Sequence, residues 1–554
     1  MLRPHMTRTG VLLGLLLTPP LIAVMYVART ILGLPFSPFD LFEWLTRILP
    51  GRIVIGGIDA LAAVLTIFGL SLRTASKTAE QMLALALFTG GGAGVAAVVA
   101  RLLATTRLRD RNPVTWAVGA SAGVGAVVAI LTAGVRPMGS LAPLWPASIW
   151  IVLAFGAWGF AFGRAWRALH PSALPGRGAR ISLRDAVAST PARSTVTLDA
   201  ADRRVFLVRL AGAAASITVV GAALALLQRR TAAPSAGTPN TALPPRPGAV
   251  DPAPGTRPEY TPVCDHYRID INLFPPHIDV AAWTLPITGR LDRPARLTLE
   301  GFEKGAYGPA HDHFITLSCI SNPVAGDLIG TTRWTGVSLK AVLAPLGVQS
   351  AARFVTVHAA DGFHETMPLD RVAGDERIML AYHWDGERLT PGHGFPLRLY
   401  IPDRYGMKQP KWITAIEVMD HYEAGYWVVR GWDETAQVLA TSVIDTVAID
   451  DAYEKDGRRF VPIGGMAYAG ARGISKVEIK VDGGPWIEAR LRQPLSDLTW
   501  VLWRYDWMFA PGRHTFAVRC YDGQGQPQIA EDQGTYSRGA TGIHRLDKRL
   551  GGVT

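Results

Sequence analysis

The sequence has few of the residues that build redox-metal sites. It contains three cysteines in 554 residues, which excludes a scaffold built on disulfides and a cysteine-rich metal site. Before residue 231 it has no cysteine and only two histidines, His5 and His170, and neither lies in an apolar run. Because membrane haems need axial histidines and iron–sulfur clusters need thiolates, we expect no haem or iron–sulfur site in this chain.

Charged residues are also scarce and unevenly distributed. They make up 18% of the chain, and the mean hydropathy is positive at +0.18. The formal net charge of +11 divides into +15 over residues 1–230, with 23 basic and 8 acidic residues, and −4 over residues 231–554. Because the positive excess coincides with the long apolar runs, it indicates membrane topology and no nucleic-acid partner.

Six apolar stretches are about as long as a bilayer crossing requires, roughly 20 residues. They lie near 9–32, 51–72, 81–103, 113–135, 144–163 and 205–227. Arginine-rich loops follow the third and fifth stretches, and such loops remain cytoplasmic. Residues 1–230 are therefore predicted to form a membrane domain of about six transmembrane helices, with everything after residue 230 extracytoplasmic at the cell membrane.

This count conflicts with the charges at the N-terminus. Six crossings would place Arg3 and Arg8 outside, where basic residues are disfavoured. One span is therefore miscounted, and the first, which contains Pro19 and Pro20, is our leading candidate.

Two shorter patterns accompany the apolar stretches. Gly90 and Gly94, and then Gly119 and Gly123, have the four-residue spacing that predicts close packing between helices. The sixth stretch begins with DRRVFL at 202–207, which resembles a twin-arginine export signal. Two arginines that obey the positive-inside rule are the alternative, and both interpretations remain open.

The rest of the chain is predicted to be a linker and two folded domains. Residues 231–259 are rich in proline and alanine and are typical of a semi-extended tether. Residues 260–439 combine strand-like runs with a short helix, which indicates an α+β domain. Residues 440–540 contain only strand-like segments, which fit an immunoglobulin-like sandwich, and 541–554 are expected to be a tail. The predicted fold class is thus an α-helical membrane bundle, an α+β domain and an all-β sandwich.

Several ordered motifs between residues 260 and 540 resemble one family. The segments HFITLSCISNPVAGDLIGTTRWTGVSLKAVLAPLGV, GHGFPLRLYIPDRYGMKQPKWITAIEV and GYWVVRGW are similar to molybdopterin-dependent oxidoreductases of the sulfite oxidase superfamily. The later segment PGRHTFAVRCYDGQGQPQ resembles that family's C-terminal immunoglobulin-like domain, which often mediates dimers. The resemblance implies a sulfite-oxidase-type α+β domain, a molybdenum–molybdopterin cofactor and assembly into a homodimer.

Cys319 has two interpretations. On composition alone, a lone cysteine at the end of an apolar strand is more often buried and inert. The resemblance favours the opposite interpretation, because the family's matching cysteine is the thiolate ligand to molybdenum. Sulfur is a soft ligand and suits this metal better than an oxygen ligand would. Cys319 is therefore the expected catalytic and metal-ligating residue. Cys264 and Cys520 lie in different predicted domains and are expected to stay unpaired.

Basic residues and a glycine at family-matching positions are the expected cofactor contacts. The pterin carries a phosphate, so its site needs fixed cations and backbone donors. Taken singly, an arginine or lysine is usually a solvated surface residue, and only the joint spacing favours a site. The expected cofactor-binding residues are His393, Arg398, Gly406, Lys408 and Lys411, with Tyr267, Arg268 and Thr356 as looser matches.

Arg333 is the expected second catalytic residue. It matches a family arginine near the metal that attracts an anionic substrate, and the alternative is a surface arginine at a strand end. Sulfite-oxidising members of the family commonly have a further arginine just after the Cys-x-x-Asn stretch, where this sequence has Pro323 and Val324. The substrate pocket is therefore expected to be less cationic than in a typical sulfite oxidase.

These patterns predict a membrane-anchored, extracytoplasmic molybdenum enzyme that performs two-electron oxygen-atom transfer on a small sulfur-containing substrate. A sulfoxide reductase of the same family is one alternative, and a non-catalytic membrane-tethered binding module is another. Without a haem or cluster of its own, the chain is expected to exchange electrons with a separate carrier, either a cytochrome or a quinone-linked protein.

Overall fold

Two compact units make up the chain. The computed structural model describes residues 4–105, 112–135, 143–170, 205–219, 243, 246 and 249–551. The first unit comprises Met1–Ile48 and Glu80–Pro234, and the second comprises Leu49–Ala79 and Ser235–Thr554. The arginine pair at 203–204 and most of the predicted 231–259 linker lie outside the described residues.

Helices make up the described part of the first unit. In chain order the long helices are α1 (Pro4–Leu32), α2 (Ser37–Ile48), α3 (Gly51–Ile67), α4 (Leu72–Leu103), α5 (Pro113–Val135), α6 (Leu144–Leu169) and α7 (Val205–Val219), of which α3 and the start of α4 belong to the second unit. Within the described residues, four helices (α1, α4, α5 and α6) are long and apolar enough to cross a membrane. Many of their large apolar side chains are exposed, Ile130 and Leu153 among them, as is typical of helices that face lipid.

The second predicted span, 51–72, differs from the other apolar stretches. Its residues form α3, which has 17 residues and is grouped with the second unit instead of the predicted 1–230 membrane domain. Ile55 and Leu65 of α3 are buried in apolar clusters of that unit. An apolar run of this length suits a core helix as well as a crossing, and packing decides between them. The sixth predicted span is described only as α7.

Small residues set the closest helix contacts in the first unit, but at positions other than those predicted. A Cβ added at Gly159 or Gly163 of α6 would lie within 2.7 Å of atoms of α5, so the two backbones approach closely there. At the four glycines with the predicted spacing, Gly90, Gly94, Gly119 and Gly123, a Cβ would meet no atom of the described residues within 4 Å. The spacing identifies one face of a helix but not whether a neighbour covers that face.

Two sheets with a common apolar core form the α+β part of the second unit. The first has the order β2-β1-β10-β5-β6, and the second has the order β3-β4-β7-β8 with β9 beside β7. The strands are β1 (Leu285–Gly289), β2 (Ala295–Leu297), β3 (Ala310–Ser318), β4 (Ile329–Ser338), β5 (Phe354–Ala359), β6 (His364–Pro368), β7 (Met379–Trp384), β8 (Glu387–Arg388), β9 (Arg398–Tyr400) and β10 (Ile413–Met419), and the short helices are α8 (Leu299–Glu303), α9 (Leu339–Leu343) and α10 (Leu369–Gly374).

The core of this part lies where the two sheets meet. Val355 and Ile416 from the first sheet pack in one cluster with Val337, Leu380 and Leu399 from the second. Because side chains alternate along a strand, β4 and β7 present a different set of residues on their other face. That face contributes to a second apolar cluster, which also contains the predicted metal ligand.

The C-terminal part consists of two antiparallel sheets. Their orders are β11-β13-β17-β16, with β12 beside β13, and β15-β14-β18-β19. The strands are β11 (Thr441–Val447), β12 (Tyr453–Lys455), β13 (Arg458–Tyr468), β14 (Ile474–Val481), β15 (Ile487–Glu488), β16 (Arg490–Leu491), β17 (Val501–Met508), β18 (Gly512–Asp522) and β19 (His544–Leu550). Val461 and Trp503 from one sheet share a core with Val477 and Phe516 from the other.

The final strand extends the fold beyond the predicted boundary. β19 pairs with β18 over seven residues, so much of the expected 541–554 tail contributes a strand of the sheet. The packed sheets agree with an all-β ending, while the immunoglobulin-like assignment stays a prediction.

A glycine in β13 offers a test of this packing. A Cβ at Gly465 would overlap the carbonyl oxygen of Val443 on β11. We expect Gly465→Ala to lower the free energy of unfolding by about 1–3 kcal/mol, the usual cost of overpacking, and to lower Tm accordingly. Gly534→Ala is the matched control, because a Cβ there meets nothing within 4 Å. Equal Tm values for the two variants would contradict the close pairing of β11 and β13.

Candidate active site

The loop between β3 and β4 holds Cys319 in a buried position. The Cys319 backbone N–H donates to the carbonyl oxygen of Leu328 at 2.9 Å, and Asn322 closes the loop by accepting from the Leu328 N–H at 2.9 Å. Burial raises the pKa of the Cys319 thiol, and hydrogen bonds from Ser321 oppose that shift only in part. All three cysteines are free, so this thiol is available as a ligand. A cation or metal beside it would favour the thiolate.

Tyr267 and Gly406 lie beside the end of the strand that leads to Cys319. A Cβ at Gly406 would lie 3.3 Å from the Tyr267 hydroxyl oxygen and 3.6 Å from the carbonyl oxygen of Ser318. Tyr267 is buried in the same apolar cluster as Cys319. The glycine therefore leaves room that any side chain would fill.

Arg398 is a buried arginine with an unmet hydrogen-bonding group. Its guanidinium carbon lies 4.7 Å from the ring centroid of Trp334 and 5.1 Å from that of Trp384. Nη1 donates to the carbonyl oxygen of His393 at 3.0 Å, whereas Nε has no hydrogen-bond partner among the described residues. Burial lowers the pKa of Arg398 to about 10, so it remains charged at neutral pH. A buried, charged donor without a partner is costly, and an anion would satisfy it.

Two histidines line the same region, His266 buried and His393 half-buried. The His393 ring lies 4.7 Å from Trp384 and 5.7 Å from the His266 ring, centroid to centroid. Burial lowers the pKa of His266 to about 4 and holds that of His393 well below its ordinary value. Both rings are therefore neutral at pH 7 and add hydrogen-bonding groups without charge.

Asp270 joins three cations. Its carboxylate lies 2.7 Å from Nε of Arg268, 2.9 Å from Nζ of Lys411 and 3.5 Å from Nζ of Lys77. Burial opposes ionisation of Asp270, but the three cations together hold its pKa well below the usual range. Burial lowers the pKa of Lys411 to about 8, and Asp270 limits that shift.

The group as a whole fits an anionic cofactor. The four cations Lys77, Arg268, Arg398 and Lys411 outnumber the two described carboxylates beside them, Asp270 and Asp361. Burial raises the pKa of Asp361 to about 6, so it is still mostly ionised at pH 7. The unmet Nε of Arg398, the side-chain-free backbone at Gly406 and the adjacent thiol are features that suit a phosphate-bearing molybdopterin.

Three predicted site residues have other partners. Arg333 lies on β4 and pairs with Asp312 on β3 through Nε at 2.9 Å, with 41% of its side chain exposed. Lys408 forms a buried ion pair with Glu365. The Thr356 hydroxyl bonds to that of Thr366 at 2.9 Å inside the first sheet.

These contacts differ from the predicted roles. An acidic partner neutralises the charge of Arg333 and of Lys408, and Thr356 is satisfied within the sheet. The other predicted residues (Cys319, Tyr267, Arg268, His393, Arg398, Gly406 and Lys411) lie in one region. Their roles at the cofactor stay predictions.

The sequence interpretation missed His266, Asp270, Trp384 and Lys77. His266 and Asp270 flank Tyr267 and Arg268, so adjacency was an available signal. Lys77 is 193 residues before Asp270, and no local pattern connects the two.

Comparison with known proteins agrees with this geometry. Residues 272–427 match the family described as "Oxidoreductase molybdopterin binding domain". The uncharacterized oxidoreductase YuiH of Bacillus subtilis (strain 168) is 32% identical over 158 residues, which are 28% of this chain and 76% of that protein. The chain belongs to the sulfite oxidase family of molybdopterin-dependent oxidoreductases. It is therefore an oxidoreductase.

Other members of the sulfite oxidase family align over a smaller share of their length. Mitochondrial sulfite oxidase of Mus musculus is 27% identical over 275 residues, covering 41% of this chain and 50% of that protein. Nitrate reductase [NADH] 1 of Phaseolus vulgaris is 26% identical over 265 residues, covering 38% of this chain and 29% of that protein. The chain thus spans half or less of these two relatives.

A solved structure also aligns with this member of the sulfite oxidase family. The alignment with the sulfane dehydrogenase SoxCD from Paracoccus pantotrophus covers 52% of this chain and 80% of the SoxCD chain, with 20% sequence identity and a TM-score of 0.45. Similarity at this level carries no conclusion about substrate or partner.

Proposed function

We propose that this sulfite oxidase family member is a membrane-anchored, extracytoplasmic enzyme that transfers an oxygen atom to or from a small sulfur-containing substrate, with two electrons. The observation that carries the proposal is a free, buried thiol, Cys319, beside a buried cation group in which Arg398 has an unmet donor. A non-catalytic binding module would have no need for buried, unneutralised charge, which destabilises a fold.

The residues present would hold molybdopterin in distinct ways. Cys319 would ligate molybdenum as a thiolate, Arg398 and Lys411 would bind the phosphate, and Gly406 would let the backbone approach the cofactor. When bound, the cofactor supplies the oxygen-transfer and electron-transfer chemistry. The protein also contributes an aromatic wall, because the rings of Trp334 and Trp384 lie against the Arg398 guanidinium and the His393 ring lies beside Trp384. Electrons would pass to or from a separate carrier.

One feature favours the sulfoxide reductase as a second candidate. Arg333 is neutralised by Asp312, and Pro323–Val324 occupy the place where sulfite-oxidising members have an arginine. A substrate region with less positive charge suits a neutral sulfoxide better than the sulfite dianion.

The positions of the arginine-rich segments relative to the apolar helices support an extracytoplasmic oxidoreductase part. With α1, α4, α5 and α6 as crossings and α7 as the start of a fifth, the N-terminus and the arginine-rich segments at 104–112 and 170–204 all fall on one side. The positive-inside rule makes that side cytoplasmic. The same count puts residues 33–71 and everything after the fifth crossing outside. It removes the conflict at Arg3 and Arg8 that six crossings create.

Replacing the thiol tests the enzyme proposal. We expect Cys319→Ser to reduce turnover at least about 100-fold while Tm stays near that of the parent, because a hydroxyl is a poor substitute for a soft thiolate ligand. Turnover, molybdenum content and Tm are measured on full-length protein produced with a working cofactor pathway. Cys264→Ser is the control, since that thiol is exposed. Full activity of Cys319→Ser, or parent protein without molybdenum, would refute the proposal.

Substrate class is tested with a substrate pair and one variant. On molybdenum-loaded protein, kcat/KM is compared for sulfite oxidation and for reduction of methionine sulfoxide. We expect Arg333→Ala to change the KM for either substrate by less than about twofold, because an exposed ion pair contributes little. A tenfold rise in KM for sulfite alone would instead support the anion-attracting role of Arg333.

Topology is tested with reporter fusions. Alkaline phosphatase, which is active only outside the cytoplasm, is fused after residue 250 and, in a second protein, after residue 108. We expect activity only from the first fusion, because the loop at 104–112 is arginine-rich. The reverse pattern would place the oxidoreductase part in the cytoplasm.

A further inference from the structure

Residues 49–79, hereafter the 49–79 segment, belong to the same compact unit as the candidate active site although they precede its other residues by about 190 positions. The segment comprises α3, a short turn and the first two turns of α4. It contacts the site by apolar packing, by hydrogen bonds to the loop that follows Cys319 and by one lysine.

Apolar side chains of the segment pack beside the predicted metal ligand. Leu65 and Leu72 are buried in the cluster that contains Tyr267 and Cys319. Ile55 is 5% exposed and packs in the cluster that contains Ile320, the residue after Cys319. The 49–79 segment therefore buries apolar surface of the two clusters that contain Cys319 and Ile320.

Hydrogen bonds join the segment to the loop that follows Cys319. The Ser71 hydroxyl and the Arg73 backbone N–H both donate to the carboxylate of Asp327, the latter at 3.1 Å. Asp327 thereby satisfies free donors at the N-terminus of α4, where a negative charge is favourable. These bonds hold the start of α4 against the loop that positions the thiol.

Lys77 reaches the cation group itself. Its ammonium donates to the carbonyl oxygens of Asp270 at 2.7 Å and Asn272 at 3.1 Å, and lies 3.5 Å from the Asp270 carboxylate. That carboxylate also orients Arg268 and Lys411. Lys77 thus secures both the backbone and the side chain of the residue on which the two other cations depend.

We propose that Lys77 is a positioning residue for the cofactor: by holding Asp270 it keeps Arg268 and Lys411 in place to bind the phosphate of molybdopterin, so the 49–79 segment controls how long the cofactor is retained. This inference rests on the proposed function. It assigns part of the cofactor site to a segment that ends at the start of an apolar helix.

The test measures cofactor retention in full-length protein in detergent. Molybdenum per chain and pterin released as its fluorescent oxidised form are followed during dialysis. We expect Lys77→Ala to release the cofactor about tenfold faster than the parent, comparable to the loss of a supporting residue behind a metal ligand. Lys77→Arg should restore most of the retention, because a guanidinium can donate to the same oxygens. Lys340→Ala is the matched control, since it removes an exposed lysine–glutamate pair elsewhere in the same unit.

A double-mutant cycle separates positioning from general destabilisation. If Lys77 acts through Asp270, Lys77→Ala should accelerate cofactor release much less in an Asp270→Asn background than in the parent. Should Lys77→Ala fail to fold, Lys77→Gln keeps an uncharged amide donor group but loses the positive charge, and it is expected to show the same faster release.

The outcomes distinguish this inference from the proposed function. Parent protein that contains no molybdenum contradicts the proposed function. Parent protein that holds the cofactor while Lys77→Ala or Lys77→Gln retains it equally well overturns the role of Lys77. Equal acceleration by Lys340→Ala, or full additivity with Asp270→Asn, also overturns it.

Discussion

The carboxylate of Asp270 is the interaction on which the candidate site depends. Burying an ammonium group costs several kcal/mol unless an anion lies beside it. Among the described residues, Asp270 is the carboxylate that forms an ion pair with Lys411, and burial already lowers the pKa of this lysine to about 8. Without that carboxylate, the pKa of Lys411 would fall further, because Asp270 is the group that raises it most. The positive charge of the site is therefore maintained by a negative group at its centre.

Arg398 is stabilised in a different way. It has no carboxylate partner among the described residues and lies instead against the faces of Trp334 and Trp384, whose π electrons attract a cation without cancelling its charge. The neutral histidines beside it add no repulsion. The two cations thus differ in function: the charge of Lys411 is shared with Asp270, while that of Arg398 remains available. An anion entering the site would meet its strongest attraction at Arg398.

Sequence motifs predicted the family and named several residues that the structure brings together, but they could not indicate contacts with residues distant in the sequence. The family is confirmed, and Cys319, His393, Arg398 and Lys411 lie in one region. The surroundings of Arg333 could not be predicted, because Asp312 neutralises it from a neighbouring strand 21 residues away. The pairing of Lys408 could not be predicted either, because its partner Glu365 is 43 residues away in the sequence. Likewise, hydropathy identified the apolar run at 51–72, but only tertiary packing shows that Ile55 and Leu65 of α3 are buried against the second unit.

Helix α4 starts in one compact unit and continues in the other, and this continuity has a consequence for inheritance. The oxidoreductase unit is not a contiguous stretch of the gene, because part of its packed core is encoded between α1 and the other long apolar helices and the rest after them. A gene fragment that starts after residue 230 encodes an incomplete unit. Exchange of either half between related genes would separate Leu65 and Lys77 from the residues with which they pack or hydrogen-bond.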